Sequence, residues 1–275
     1  MMTWLELLRA AFTYGFMWRA LIVGVSIALS SAFIGSFLVL KRFSMIGHGL
    51  SHVAFAAVAI GLFFDQAPLL ITLPMVVLTA VLVLKLNESA DVHGDAAIGL
   101  AAAFSMALGT TLASIGGGFN LDLYSYLFGS ILTIKMLDLW LAIGLSLIVL
   151  VTVFLFFEDL FTMTFDESFA QVSGIRTKRL NTLLAVLTGL VIVIGIRAIG
   201  TLLISSLIIF PTVIAMQFSK GFKATILIAV ISSVIIVFVG LIGSFLFDLP
   251  SGSAIVLLNG IVFFFVYVYH RLIKR

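Results

Sequence analysis

The chain has 275 residues, of which 63% are hydrophobic and 10% are charged, with 15 Lys and Arg against 12 Asp and Glu. A soluble domain is about 45–50% apolar and about 25% charged, because polar groups must cover its surface. The composition therefore excludes a soluble protein, including a nucleic-acid-binding domain with one basic face, and predicts an integral membrane protein.

Long stretches without charged residues predict the membrane spans. A spanning helix needs about 20 mostly apolar residues, because the hydrocarbon core is about 30 Å thick and a helix rises about 1.5 Å per residue. Nine stretches of at least 17 residues qualify: 20–40, 43–64, 66–84, 96–121, 139–157, 180–196, 198–219, 224–247 and 249–270. Only Arg197 separates two of them, and one of that pair could be a partial helix. We therefore expect an all-α polytopic membrane protein with eight or nine transmembrane helices.

A further apolar stretch, 123–134, is too short to cross the bilayer. It lies between Asp122 and Lys135 and follows three consecutive glycines at 116–118. We interpret it as a short re-entrant or interfacial helix.

The distribution of Lys and Arg predicts the orientation, since cytoplasmic loops carry an excess of these residues. With the C-terminus inside, the cytoplasmic side receives eleven basic residues and the other side only four, Arg9, Arg19, Lys135 and Arg197. We therefore expect a cytoplasmic C-terminus, and nine spans would place the N-terminus outside.

The longest polar interruption, about 158–181, falls on the cytoplasmic side. Within it, 166–172 has the character of a short amphipathic helix that Asp166 could cap and Gly174 would close. None of the loops is long enough for a soluble domain, so we expect 1–275 to form a single transmembrane domain. The sequence contains no nucleotide-binding P-loop, no dinucleotide fingerprint and no HExxH motif.

His48 and His52, in the second predicted span, are the strongest candidates for chemistry. An ionisable side chain inside the bilayer is costly, so it is a functional hypothesis by default. Residues four apart project from one face of a helix, and two neutral imidazoles at that spacing can share a divalent transition metal. Gly47 and Gly49 would allow close helix packing or a local break. The spacing alone is equally compatible with interfacial or hydrogen-bonded histidines.

Pro211 lies in the middle of another predicted span, among Ser and Thr residues. Proline removes a backbone hydrogen bond, and nearby hydroxyls can satisfy the freed carbonyl. The pattern is typical of discontinuous helices near transport pathways, and also of a structural kink packed against its neighbours.

Five segments resemble, in order and spacing, the membrane subunits of zinc and manganese importers of the ABC class, the ABC-3 permease family. They are FLVLKRFSMIGHGLSHVAFAAVAIG (37–61), YLFGSIL (126–132), FDESFAQVSGIRTKRL (165–180), GTLLISSLIIFPTVIA (200–215) and DLPSGSAIV (248–256). The resemblance covers nearly the whole chain.

The resemblance implies a transport subunit of a prokaryotic cell membrane that is not itself an enzyme. It implies a homodimer, two cytoplasmic ATP-hydrolysing subunits and an extracellular metal-binding protein, with access alternating across the bilayer. It also implies that the segment seated in the ATPase comprises Asp166, Glu167, Ser173, Gly174 and Arg176.

The same resemblance implies that positions 48 and 52 carry the transported metal. His52 matches the family histidine, whereas His48 stands where the family commonly has Asp. Imidazole suits Zn²⁺ and hard oxygen ligands suit Mn²⁺, so we expect a zinc importer, with Mn²⁺ or Fe²⁺ as alternatives. No intrinsic cofactor is expected.

Two other classes of function are less well supported by the sequence. An ion-coupled secondary transporter would need carboxylates at mid-membrane depth, whereas every Asp and Glu lies at or near the end of an apolar stretch. An intramembrane metalloprotease would need the HExxH motif.

Overall fold

The computed structural model describes residues 12–89, 94–116 and 134–273. Eleven helices lie wholly within these ranges: α1 (Gly15–Leu40), α2 (Ile46–Phe63), α3 (Pro68–Ser89), α4 (Gly94–Ile115), α5 (Met136–Leu155), α6 (Phe157–Phe165), α7 (Glu167–Val172), α8 (Thr177–Ile199), α9 (Thr201–Phe218), α10 (Phe222–Leu246) and α11 (Ser251–Ile273). The described part of the chain contains no strand, so the predicted all-α class is confirmed.

Nine helices in the described ranges are long and apolar enough to cross a membrane, namely all except the short α6 and α7. The two neighbouring stretches around Arg197 form separate long helices, α8 and α9, so the nine-span alternative is supported. Arg197 lies in the last turn of α8 and marks a span end, as expected. The re-entrant helix predicted at 123–134 lies outside the described residues except for Ile134.

The chain breaks between α8 and α9 at Gly200, not at the proline. Gly200 has φ +89°, a left-handed conformation that glycine adopts without steric cost. α9 continues past the buried Pro211 without interruption, so the helix is not discontinuous at that residue, and a kink at Pro211 near the transport pathway stays a prediction. A membrane helix tolerates an internal proline when neighbouring groups satisfy the freed carbonyl.

Helix α1 forms the centre of the bundle. It packs against α5, α8, α9 and α10, and 72% of the residues in its 18-residue apolar segment are buried. By contrast, only 17% of the residues in the corresponding segment of α4 are buried. Most of its apolar side chains therefore face outward, where lipid would cover them.

Close helix approach is built on small residues, as in other membrane bundles. A side chain at Gly35 of α1 would overlap the backbone carbonyl of Ile208 in α9. Near this contact the hydroxyls of Ser36 and Thr212 lie 3.4 Å apart. Helices α1 and α9 therefore meet backbone to backbone.

The two ends of the bundle differ in their polar contacts. At one end, here called the α7 end, α1 finishes, α2 begins, and Lys41 contacts Glu167 of α7. At the other end, here called the Gly200 end, Arg197 in the last turn of α8 contacts Asp138 in the first turn of α5. Helix α8 joins the two ends.

Candidate functional site

The two candidate metal-binding histidines lie together near the start of α2. His48 and His52 are the third and seventh residues of the helix, about 3 Å and about 9 Å along its axis from Ile46. Their Nε2 atoms are 3.2 Å apart, and their rings are nearly perpendicular at 86°. The structure thus brings together the pair that the sequence singled out.

The separation of the two nitrogens suits a shared ion. Two nitrogens bound to one tetrahedral metal at about 2.0–2.1 Å lie about 3.3 Å apart. The same separation allows the Nε2–H of one ring to donate to the Nε2 of the other. A cation bound by both nitrogens would take the place of that proton.

Two glycines fix the backbone that carries His48. A side chain at Gly47 would approach Ile208 of α9 to 2.9 Å, and one at Gly49 would overlap Ile98 of α4. The expected close packing is confirmed, and α2 is not broken at this point. Helices α9 and α4 thus hold α2 from two sides and leave the histidine face free.

The histidine face points away from the other described residues of the chain. His48 is exposed and His52 is half-buried, although 72% of the residues of α2 are buried. Within the described ranges there is no cluster of three or more His, Cys, Asp or Glu that could hold a metal. The described chain therefore presents two candidate nitrogen ligands side by side on one helix face.

The predicted coupling segment forms a short capped helix, α7, at the α7 end. The Asp166 carboxylate accepts a hydrogen bond of 2.8 Å from the backbone N–H of Phe169, which caps the N-terminus as expected. At the other end Gly174 has φ +85°, and Ile175 N–H donates to the Ala170 carbonyl at 2.9 Å. This is the glycine-terminated arrangement that closes many helices.

The exposed surface of α7 includes two large apolar side chains. Phe169 is 61% exposed and Val172 is 90% exposed, and residues three apart share a helix face. Beside them, Ser173, Gly174 and Arg176 line a surface groove of about 490 Å³. Exposed apolar side chains at a loop tip, next to a groove, are typical of a docking surface for another protein.

Glu167 differs from the other predicted coupling residues, because it points inward. Its carboxylate contacts the Lys41 ammonium at 3.3 Å and accepts a hydrogen bond from Asn181 Nδ2 at 2.7 Å. This contact could not be predicted from the sequence, because Lys41 is 126 positions away from Glu167.

Helix α6 was also missed by the sequence reasoning, which placed one short helix in the 158–181 loop. The structure has two, since Phe157–Phe165 forms its own helix before α7. The signal was present: Phe157, Leu160, Phe161 and Thr164 follow helical spacing, and Glu158 and Asp159 favour a helix N-terminus.

Known proteins resemble this chain over nearly its whole length. A model of the ABC 3 transport family matches residues 13–270. The manganese import system permease protein ScaB of Streptococcus gordonii is 29% identical over 98% of both chains. The high-affinity zinc uptake system membrane protein ZnuB of Haemophilus influenzae is 31% identical and covers 89% of this chain and 94% of its own.

A solved structure has the same fold. PsaBC from Streptococcus pneumoniae, determined in complex with Fab, superposes with a TM-score of 0.84 at 25% identity, over 96% of this chain and 95% of that one. The family match spans most of the sequence, from before the first spanning helix almost to the C-terminus. The chain therefore belongs to the ABC 3 transport family, as its five sequence segments indicated.

Proposed function

We propose that this chain is the membrane-spanning permease of an ATP-driven importer of a divalent transition metal, with Zn²⁺ as the preferred ion. The observation that carries the proposal is the His48–His52 pair, whose Nε2 atoms lie 3.2 Å apart on an open helix face. A permease subunit has no catalytic residues of its own, so ATP hydrolysis belongs to a partner.

The type of ligand, more than the spacing, favours zinc. Both donors are imidazole nitrogens, which suit Zn²⁺, whereas Mn²⁺ prefers carboxylate, carbonyl and water oxygens. A tetrahedral zinc site needs four ligands and this face offers two. A site with so few ligands from one chain also suits a transported ion, which must be released.

A second copy of the chain would complete the site. A polar side chain facing lipid is costly, so the exposed face of His48 calls for a covering protein surface. In a homodimer with its axis beside α2, two histidine pairs would supply four nitrogens to one ion. The dimer would thereby bury both pairs and form the tetrahedral site.

The α7 end is the side on which an ATPase would dock. Phe169 and Val172 offer an apolar tip, and Ser173, Gly174 and Arg176 line the adjoining groove. This assignment makes the α7 end cytoplasmic, in agreement with the excess of Lys and Arg expected there. An extracellular binding protein would deliver the ion at the Gly200 end, and ATP binding and hydrolysis would alternate access.

Manganese is the second candidate substrate, with Fe²⁺ as a further possibility within the same class. The relative from Streptococcus gordonii is named as a manganese permease, and the one from Haemophilus influenzae is named for zinc. The residue at position 48 distinguishes a manganese substrate from a zinc substrate, because a histidine there supplies a nitrogen ligand in place of a potential oxygen ligand.

Uptake of radiolabelled zinc and manganese tests the proposal. Cells lacking their own high-affinity importers would express the chain with its ATPase and binding protein. The chains compared are wild type, His48→Ala, His52→Ala and the double substitution. His270→Ala, in the last turn of α11, is the matched control. We expect zinc uptake in wild type and in the control, and its loss in the double variant at equal membrane abundance.

Each other outcome has a defined meaning. Manganese uptake without zinc uptake would keep the transporter class and overturn the ligand argument. Zinc uptake that survives the double substitution would place the metal path away from α2. A wild-type chain that takes up neither radiolabelled zinc nor radiolabelled manganese would contradict the proposed function.

A further inference from the structure

Three polar side chains from separate helices meet at the α7 end and form what is here called the polar hub: Lys41, Glu167 and Asn181. Lys41 Nζ donates to Asn181 Oδ1 at 2.6 Å and to Glu167 Oε2 at 3.3 Å. Asn181 Nδ2 donates to the other carboxylate oxygen, Glu167 Oε1, at 2.7 Å. The three groups close a triangle that joins the end of α1, the first residue of α7 and the second turn of α8.

Two of the three side chains of the polar hub are largely removed from solvent. The side chain of Lys41 is 9% exposed and that of Glu167 is 36% exposed, while Asn181 is buried. Hydrogen bonds to charged groups are stronger than those between neutral groups, so separating the triangle would cost the contacts that join the three helix ends. The three helix ends are therefore expected to move together.

The connection from Lys41 to the histidine helix is short and tight. Arg42 takes a left-handed conformation with φ +62°, which is uncommon for a residue other than glycine. Backbone hydrogen bonds fill the connection: Lys41 N–H to Phe37 O at 3.0 Å, Arg42 N–H to Val39 O at 3.1 Å, Phe43 N–H to Leu38 O at 2.9 Å and Ile46 N–H to Phe43 O at 3.1 Å. A displacement of Lys41 thus reaches the first turn of α2 without a flexible segment in between.

The other side of the polar hub is equally compact. Glu167 is the first residue of α7, which is only six residues long and is capped by Asp166 and closed by Gly174. A short helix fixed at both ends moves as a unit. The carboxylate of Glu167 therefore follows any displacement of the exposed face that bears Phe169 and Val172.

We infer that the polar hub transmits the movement of α7, driven by the docked ATPase, to the metal-binding face of α2. Lys41, Glu167 and Asn181 act as positioning residues: they do not touch the metal, but set where His48 and His52 stand in each nucleotide state. The inference rests on the proposed function, since it requires an ATPase at the α7 end and a metal at the histidines.

The natural chain contains no cysteine, which permits a direct test by single-cysteine labelling. Met45, immediately before α2, is 47% exposed in the single chain and lies on the side of His48, so labelling of Met45→Cys reports how far that face is covered in each nucleotide state. The purified complex in nanodiscs would be labelled with a maleimide, without nucleotide and with ATP plus vanadate, and labelling would be read on the permease by mass spectrometry. Metal transported per ATP hydrolysed would be measured in proteoliposomes for the same variants without the reporter.

The variants remove the charges of the polar hub with little change of shape. Glu167→Gln keeps an oxygen for Asn181 and loses the ion pair, while Lys41→Met keeps the length of the side chain and loses the ammonium. Lys223→Met is the matched control, because its contact with Glu158 at 3.8 Å joins two side chains that are almost fully exposed. Combining Lys41→Glu with Glu167→Lys tests whether the reversed pair restores function.

We expect nucleotide to change the labelling rate in wild type and in the control, and to have little effect in Glu167→Gln and Lys41→Met. The ratio of metal to ATP should fall roughly two- to thirty-fold in these two variants, with the ATPase still co-purifying, and recover at least partly in the reversed pair. Unchanged nucleotide dependence and an unchanged ratio in Glu167→Gln would overturn the inference. Loss of ATPase co-purification would also overturn it, because the polar hub would then serve docking alone.

The test separates this inference from the function on which it rests. A wild-type complex that transports neither zinc nor manganese refutes the proposed function, and the transmission role falls with it. If the wild-type complex transports metal and the Glu167→Gln and Lys41→Met variants keep the wild-type ratio of metal to ATP, the transmission role alone is refuted.

Discussion

Arg197 Nε donates a hydrogen bond of 2.5 Å to Asp138 Oδ1, and this contact joins the last turn of α8 to the first turn of α5 at the Gly200 end. The other oxygen of Asp138 accepts from the backbone N–H of Lys135 at 2.9 Å, so the carboxylate also caps its own helix. The Asp138 side chain is 6% exposed and that of Arg197 is 25% exposed. A charged pair this well buried holds the two helices in one register next to the break at Gly200.

Removing one charge of this pair should destabilise the protein more than removing both. Asp138→Asn keeps the helix cap and leaves Arg197 without its counter-charge, which costs about 3 kcal/mol when the remaining charge is mostly buried. The double variant with Arg197→Gln should return to within about 1 kcal/mol of wild type. Denaturation of nanodisc-embedded protein measures both, and Glu158→Gln, at an exposed pair, is the control. Arg197→Gln is also measured alone, and a double variant that loses as much as the two single variants together would show that the pair is not coupled.

Replacing His48 with Asp should shift the metal preference toward manganese. The substitution exchanges a nitrogen ligand for an oxygen ligand beside the unchanged His52, and Mn²⁺ prefers oxygen. We expect the ratio of manganese to zinc uptake to rise about ten-fold, which corresponds to a change of about 1.4 kcal/mol in relative affinity. His48→Asn tests whether a neutral oxygen ligand suffices. An unaltered metal profile in His48→Asp would contradict the ligand argument.

Gly174→Ala should weaken the docking of the ATPase through backbone strain alone. A Cβ at this position would have no neighbour within 4 Å, but φ is +85°, where a side chain costs about 1 kcal/mol. Closure of α7 would be less favourable, and the apparent affinity for the ATPase should fall about five-fold. Arg176→Ala changes the groove without backbone strain and should also lower the apparent affinity for the ATPase. Weaker docking in either variant should uncouple ATP hydrolysis from transport.

Gly221→Ala serves as the control for Gly174→Ala, because Gly221 has an extended backbone with φ −170° and a Cβ there would also meet nothing within 4 Å. Titration of the detergent-solubilised permease with purified ATPase gives the affinity, and membrane abundance shows that insertion is intact. Full affinity in both Gly174→Ala and Arg176→Ala would remove this loop from the docking surface.

Gly35→Ala should destabilise the contact between α1 and α9. The added Cβ would meet the carbonyl oxygen of Ile208, a backbone atom that cannot turn aside, and overpacking of this kind costs about 1–3 kcal/mol. Gly99→Ala in α4 is the control, since a Cβ there meets nothing within 4 Å. A lower unfolding midpoint for Gly35→Ala and an unchanged or higher one for Gly99→Ala are expected. Matching midpoints would show that the helices separate easily.

Reporter fusions should place the C-terminus in the cytoplasm. The nine spans in the described ranges would put the two ends of the chain on opposite sides of the membrane, and the excess of Lys and Arg predicts that the C-terminus lies inside. A fluorescent protein fused after Arg275 should therefore fluoresce, while alkaline phosphatase fused there should be inactive. The reverse pattern would invert the orientation and move α7 away from any cytoplasmic ATPase.

The spans could be predicted from the sequence because the membrane imposes a simple rule. Charged residues are confined to the ends of apolar helices, so the gaps between charges reproduce the nine helices. The histidine pair could also be predicted, since residues four apart in a helix share a face whatever surrounds them. Capping of α7 by Asp166 and its closure at Gly174 were predictable for the same reason: each depends on neighbours in sequence.

Contacts between distant residues could not be predicted in this way. Asp138 looked like an ordinary acidic residue at the start of a span, and nothing in the sequence pairs it with Arg197, 59 positions later. Lys41 and Asn181 likewise belong to basic and polar segments typical of any cytoplasmic edge, 140 positions apart. Such pairs depend on which helices are neighbours, and helix order is set by packing that charge spacing does not report.

The glycines beside His48 have a consequence for how this protein could change its substrate. Because Ile208 and Ile98 meet α2 where Gly47 and Gly49 lack side chains, a side chain at either glycine would press against a neighbouring helix. The helix can move as a unit, but the spacing of its two ligands is set within the helix itself. Adaptation to a new metal, in evolution or in the laboratory, is therefore expected to come from exchanging the side chains at 48 and 52, whereas substitutions at the two glycines are expected to disturb packing.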